Sequence, residues 1–301
     1  MSACNCDITL SNTGTPSCVP IMGVGVKPVL VPLVADDGTE NVLTISSYTG
    51  TQVEWDTRTE NLDRSKRYYP LPEFKNVEDI KGDTIFESFN DTSNLFVQEG
   101  TRTYTGILPN QAPTLLDNLK AIKCTKFGMF IIDDQGNLIG NISSDGLSLK
   151  PIPVDNNTWN PILIKSTDTT VQKIQLSFEF SRLTKDEDLR MIKSSGSEIA
   201  LLGLEGLVDL EAAFNTIVAT GANAVISYDR GEAAKIAFTG AEADLTLYNE
   251  TTLASVALSS ATETPPGTYA LVFVAQTAGD IMQLSVIKDG FELYKAEFTA
   301  V

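Results

Sequence analysis

The chain has 301 residues, 42% of them hydrophobic and 20% charged, which is the composition of a globular protein too long for one core, so two domains are expected. Its 39 acidic and 22 basic residues give a net charge of −17, which argues against a surface that grips nucleic-acid phosphates, because that takes clustered Lys and Arg. Histidine is absent, and with it the usual catalytic triads, most zinc sites and the common general base near neutral pH.

Residues 1–18 are polar and turn-prone and read as an N-terminal arm without its own core. Cys4, Cys6 and Cys18 stand there without a nearby fourth ligand, so incidental thiols are favoured over zinc, and no metal or cofactor is expected. No basic start leads into a long apolar run, so the reading has no signal peptide and places synthesis in a cytoplasm. The apolar stretch Val19 to Ala35 is interrupted by Pro20, Lys27, Pro28 and Pro32. It is too short and too broken for a membrane segment, and its prolines predict an edge strand or an extended segment. Asn41 to Ser46 reads as the next strand.

Between Gly50 and Gly82 no period persists, and basic, acidic and aromatic residues alternate without order. This predicts a long loop, mobile in the free subunit and ordered by a partner. Arg58, Arg64, Lys66, Arg67, Tyr68 and Tyr69, of types favoured at protein interfaces, are the candidate subunit-interface residues.

Strands follow at Thr84 to Phe89, Asn94 to Gln98 and Arg102 to Leu108. Leu115, Leu116, Leu119 and Ile122 then recur at helical spacing, with Pro113 suited to a first turn, and predict one amphipathic helix packing on a sheet through those four residues. Phe127 to Asp133 reads as a buried strand, folded back by Asp134-Gln135-Gly136-Asn137. Asp133, Gln135 and Asn137 resemble the start of a calcium loop, but Leu138 stands where that loop needs glycine, so a hairpin turn is expected. Val171 to Phe180 alternates strictly and reads as a strand with one wet face, and Thr184 to Lys193 as a short acidic helix. The domains are drawn at 19–195 for a β-sandwich or barrel with one flanking helix, 196–205 for a linker and 206–301 for a second sandwich. Within the last, strands at Asn223 to Tyr228, Ala234 to Phe238, Asp244 to Tyr248, Leu253 to Leu258, Thr268 to Ala275, Ile281 to Lys288 and Phe291 to Phe298 suggest an immunoglobulin-like β-sandwich.

Three segments, Ile85 to Thr92, Phe96 to Tyr104 and Lys126 to Gly140, together with the order of arm, long loop, helix-flanked sandwich and C-terminal sandwich, resemble the major tail tube protein family of tailed bacteriophages. The resemblance covers the first ~200 residues. It implies a non-enzymatic virion protein of the tail, a homo-oligomer of hexameric rings stacked into a tube, in contact with other tail proteins and with passing DNA that it does not bind specifically. It also implies that the long loop and arm join successive rings, with immunoglobulin-like domains outside. An acidic conduit that repels phosphate agrees with that role. The alternatives are a head decoration, connector or tail-tip ring protein, or a carbohydrate-binding adhesin.

Overall fold

The computed structural model describes residues 21–90, 93–111, 113–228, 244–263, 267–288 and 290–301. The chain is mainly β, with several sheets, one of them nearly closed like a barrel. In chain order the first part carries β1 (Gly25–Pro32), β2 (Leu43–Thr44), α1 (Gln52–Thr59), β3 (Tyr69–Pro70), β4 (Lys75–Lys81), β5 (Ile85–Ser88), β6 (Asn94–Gln98) and β7 (Arg102–Pro109). Then come α2 (Pro113–Ala121), β8 (Phe127–Asp133), β9 (Leu138–Ile142), β10 (Ser148–Lys150), β11 (Ile152–Ile164), β12 (Lys173–Phe180) and β13 (Leu189–Ile192).

β8 organises this part. It gives one edge to β1 and divides the other between β11 at its start and β9 at its end. From β11 the pairing runs through β12 and β7 to β4. The ring is nearly closed where Leu71 and Phe74 donate their backbone N–H groups to the carbonyls of Pro28 and Val26. Because successive side chains of a strand point to opposite faces, Phe127, Met129 and Ile131 of β8 enter the barrel core, while Phe130 and Ile132 enter a second cluster on the other side. All seven residues of β8 are buried, as its unbroken apolar run requires. The barrel core is aromatic: Tyr104 stacks on Phe178 at 5.1 Å, and Trp159 meets Phe127 edge-on at 5.0 Å. Each such pair contributes roughly 1 kcal/mol beyond its burial.

Four expectations are corrected. β1 is an interior strand, paired with β8 over its length and with β3 on the other side. Its prolines are tolerated because Pro28 and Pro32 are four residues apart and turn the same backbone edge away from β8; β3 pairs on that edge only through Val29 and Leu30. The segment 50–82 is ordered, holding α1, β3 and β4. Asp186–Asp188 form only a 3-10 turn, after which Leu189–Ile192 pair with β9, so the acidic helix is a strand instead. Finally, 196–205 is no free linker: Leu201 and Leu204 are buried in the second cluster, and Glu198 and Ile199 donate to the Gly50 carbonyl.

The second part holds β14 (Val208–Val218), β15 (Gly221–Tyr228), β16 (Thr246–Asn249), β17 (Ala254–Val256), β18 (Leu258–Glu263), β19 (Thr268–Phe273), β20 (Ile281–Lys288) and β21 (Phe291–Thr299). They are ordered β17-β16-β20-β21-β14-β15-β19-β18, and β14 and β21 run parallel. Side chains from both halves of this sheet, Leu247 and Met282 as well as Ala224 and Leu271, meet in one core, so the sheet curls round it. β14 was not expected from the sequence, and the expected strand Ala234 to Phe238 lies outside the described residues.

Candidate subunit interface

The six residues expected to face a neighbouring subunit all have partners within their own chain. α1 starts at Thr51, whose hydroxyl accepts from the Glu54 N–H, while the Glu54 carboxylate accepts from the N–H groups of Thr49 and Gly50. Its Trp55 is fully buried against Tyr68, edge to face at 6.2 Å. Tyr68 packs in turn against Phe130, tilted by 32° at 5.8 Å, so it belongs to the second core cluster and not to an interface. Burial pushes the Tyr68 phenol up to about 12, against the pull of Arg58 beside it. Arg58 bridges Glu54 at 3.0 Å one helical turn away and lies over the Tyr68 ring. Lys66 reaches Asp37 at 2.6 Å on the surface. That hydrogen bond, with those from Thr39, holds the Asp37 carboxyl well below its usual range. Tyr69 is half-buried and donates its hydroxyl to the Arg64 carbonyl.

Arg64 and Arg67 instead clamp Glu292 of β21. Arg67 Nη1 donates to Glu292 Oε2 at 2.6 Å, and Arg64 reaches the same carboxylate through Nε and Nη2 at 3.3 and 2.7 Å. Arg67 and Glu292 are both buried, and the Arg64 guanidinium also lies 3.7 Å over the Tyr294 ring. Burial alone would push the Glu292 carboxyl up, yet the hydrogen bonds from Arg67 and Arg64 hold it below the ordinary glutamate value. Asn118 of α2 adds a bond to Asp209. These contacts join the two halves of one molecule. The predicted helix residues hold: Leu116 and Leu119 are buried, Leu115 and Ile122 pack beside them, and Trp159 Nε1 donates to the Leu119 carbonyl at 2.7 Å.

The surface that lacks a covering lies elsewhere. Among the described residues β5 and β6 pair only with each other, and their Phe86 and Phe96 rings meet edge to face at 6.2 Å across the pair. Ile85, Phe86, Phe89, Leu95, Phe96 and Val97 are all about half exposed, and none belongs to a core cluster. The hairpin stands on a neck at Gly82 and Gly100, where a Cβ on Gly100 would lie 2.1 Å from the Gly82 carbonyl oxygen. Sequence reading placed both strands but not their exposure; three aromatics in a hairpin with no matching alternation was the available signal.

Where β4 ends and β7 begins, the barrel opens into a cavity of about 330 Å³. Val77, Ile131, Ile139, Ile152 and Phe180 wall it, and Val24 stands exposed at its mouth. Asp79, Arg102 and Asp186 line the rim, with Arg102 paired to both acids at 2.6 and 2.9 Å and Lys81 paired to Asp186 at 2.8 Å. The Thr184 hydroxyl oxygen, buried among these residues, has no hydrogen-bond partner among the described residues.

Asp133 illustrates the calcium question. It is wholly buried and accepts from the N–H groups of Gly23, Gln135 and Asn137 and from Asn137 Nδ2, which ties the β8–β9 turn as a turn. Among the described residues no group of three or more Cys, Asp or Glu is placed to hold a metal ion, and no helix is long and apolar enough to cross a membrane. Cys4, Cys6 and Cys18 lie outside the described residues, and Cys124 is exposed as a free thiol.

A scan against protein-family models finds no family that matches this chain, and a search of curated proteins finds no match.

Proposed function

We propose that the protein is a non-enzymatic structural subunit of a tailed-phage virion that self-assembles into the rings of a tail tube, through which DNA passes without specific binding. The observation that carries this reading is the β5–β6 hairpin: a continuous apolar element with both faces in solvent, which no described residue covers and a partner would. The element order supports it as well, since one helix, α2, packs on a nearly closed sheet between β7 and β8, as the family resemblance implies. The C-terminal part supports an immunoglobulin-like reading. Taken as strands A to G with one C′ strand, β14-β15-β19-β18 has the order A-B-E-D and β17-β16-β20-β21 the order C′-C-F-G. Such a domain on the outside of a tube decorates it. The net charge of −17 suits a wall that does not retain DNA.

Negative-stain electron microscopy of the purified full chain, with sedimentation over a range of concentrations, tests the reading. Stacked rings enclosing a lumen are the expected outcome. Single closed rings that never stack would move the role to a connector or tail-tip ring, and a monomer at every concentration would sink the assembly role altogether.

A further inference from the structure

We propose that the β5–β6 hairpin of one copy seats in the barrel-mouth cavity of a neighbouring copy of the same chain, and that this exchange closes the ring. The inference rests on the self-assembly half of the reading above and is independent of the tail role. Donor and acceptor match in chemistry. The hairpin offers apolar side chains that no described residue covers, and the cavity offers the accessible side chains of Val24, Val77 and Leu189 at its mouth, backed by Ile131, Ile139, Ile152 and Phe180, which are buried in the barrel core.

Position decides how copies are related. The hairpin grows from Lys81 and Arg102, and Arg102 itself lines the rim of the cavity, so donor and acceptor stand at the same end of the barrel. A head-to-tail stack would present the opposite end of the next copy, where this cavity is not. Copies side by side at one level bring hairpin to cavity, and a contact between two different surfaces, repeated by a rotation that closes without a rise, makes a ring. Six side chains about half exposed present on the order of 500 Å² of apolar surface, against about 800 Å² per partner in a stable interface. The hairpin therefore supplies the centre of the contact. The mutually paired charges of Asp79, Arg102, Asp186 and Lys81 form a polar rim that needs no ion from the partner.

The test uses two full-length variants. Phe86→Ser with Phe96→Ser removes the donor, and Val24→Trp plugs the acceptor. Each alone is expected to sediment as a monomer, with self-association weakened at least about a hundredfold, the effect of losing two anchor residues. Mixed, they should form a one-to-one dimer, because the plugged copy keeps an intact hairpin and the donor-less copy an intact cavity; that dimer also shows both to be folded. Assembly of the plugged variant by itself would mean that hairpins meet one another or another face, and assembly of the serine variant would mean that the hairpin is not the contact. Two monomers that stay apart when mixed would likewise overturn the proposal. If the unmodified chain is a monomer under all conditions, the assembly reading falls first and this inference with it; if it assembles and only the variant pattern fails, this inference alone is wrong.

Discussion

Glu292 is the residue on which the two halves of the chain converge, and its chemistry sets a sign. Arg67 and Arg64 hold its carboxyl below the ordinary glutamate value. A carboxylate depressed in the folded state stabilises it fully above the unfolded value of about 4.3, and that stabilisation is lost as pH falls through the lower folded value. Glu292→Gln, which leaves Arg67 buried without an anion, should cost about 3 kcal/mol at pH 7. Urea midpoints measured from pH 7 downward should show a constant gap between the two proteins to about pH 5, closing below about pH 4. A gap still intact near pH 2 would mean that shape and not charge is lost. None of this was legible in the sequence. Arg64 and Arg67 were expected to meet a neighbouring subunit, but the partner they have here stands 225 or more positions later in their own chain, on a strand whose pattern says nothing of a single buried acid.

Among the elements, legibility follows how many side chains of one face are buried. α2 was readable because Leu115, Leu116 and Leu119, with Ile122 of the 3-10 turn that follows it, all pack inward, which writes the helical period into the chain. In α1 only Trp55 and Thr59 are buried, so no period appears, and the available signal was the Thr51-Gln52-Val53-Glu54 capping box. β12 was read correctly for the same reason as α2, since Ile174, Leu176, Phe178 and Phe180 alternate inward. β1 was misread because a proline count ignores which edge each proline faces. The helix reading carries its own prediction. Leu119 is buried and its carbonyl accepts from Trp159, so Leu119→Ala should lower stability by about 2–5 kcal/mol. Lys120→Ala, one position on and exposed, should change it by no more than about 0.5 kcal/mol. Equal effects in chemical denaturation would mean that α2 is not a lid on the barrel core.

At the scale of the whole molecule the question is whether the second domain is an independent appendage or part of how the first one is held. The sequence boundary near Ser195 treats it as an appendage, but Leu201 and Leu204 lie beyond that cut and fill the cluster around Trp55 and Tyr68. A chain ending at Ser195 should therefore be several kcal/mol less stable than one ending at Gly206, since each lost leucine removes roughly 2–5 kcal/mol of burial and leaves a cavity. The second shortening also removes Glu292, which isolates the ionic contact. In the full chain, Arg67→Met should destabilise by about 3 kcal/mol, because it takes a buried charge partner from Glu292. In the chain ending at Gly206 that partner is gone and water reaches the guanidinium, so the same substitution should cost close to nothing. The difference between the two costs is the coupling across the domain contact. If Arg67→Met costs the same in both chains, the worth of Arg67 lies in its bond to the Asn61 carbonyl and in packing within the first domain, and the second domain is an appendage after all.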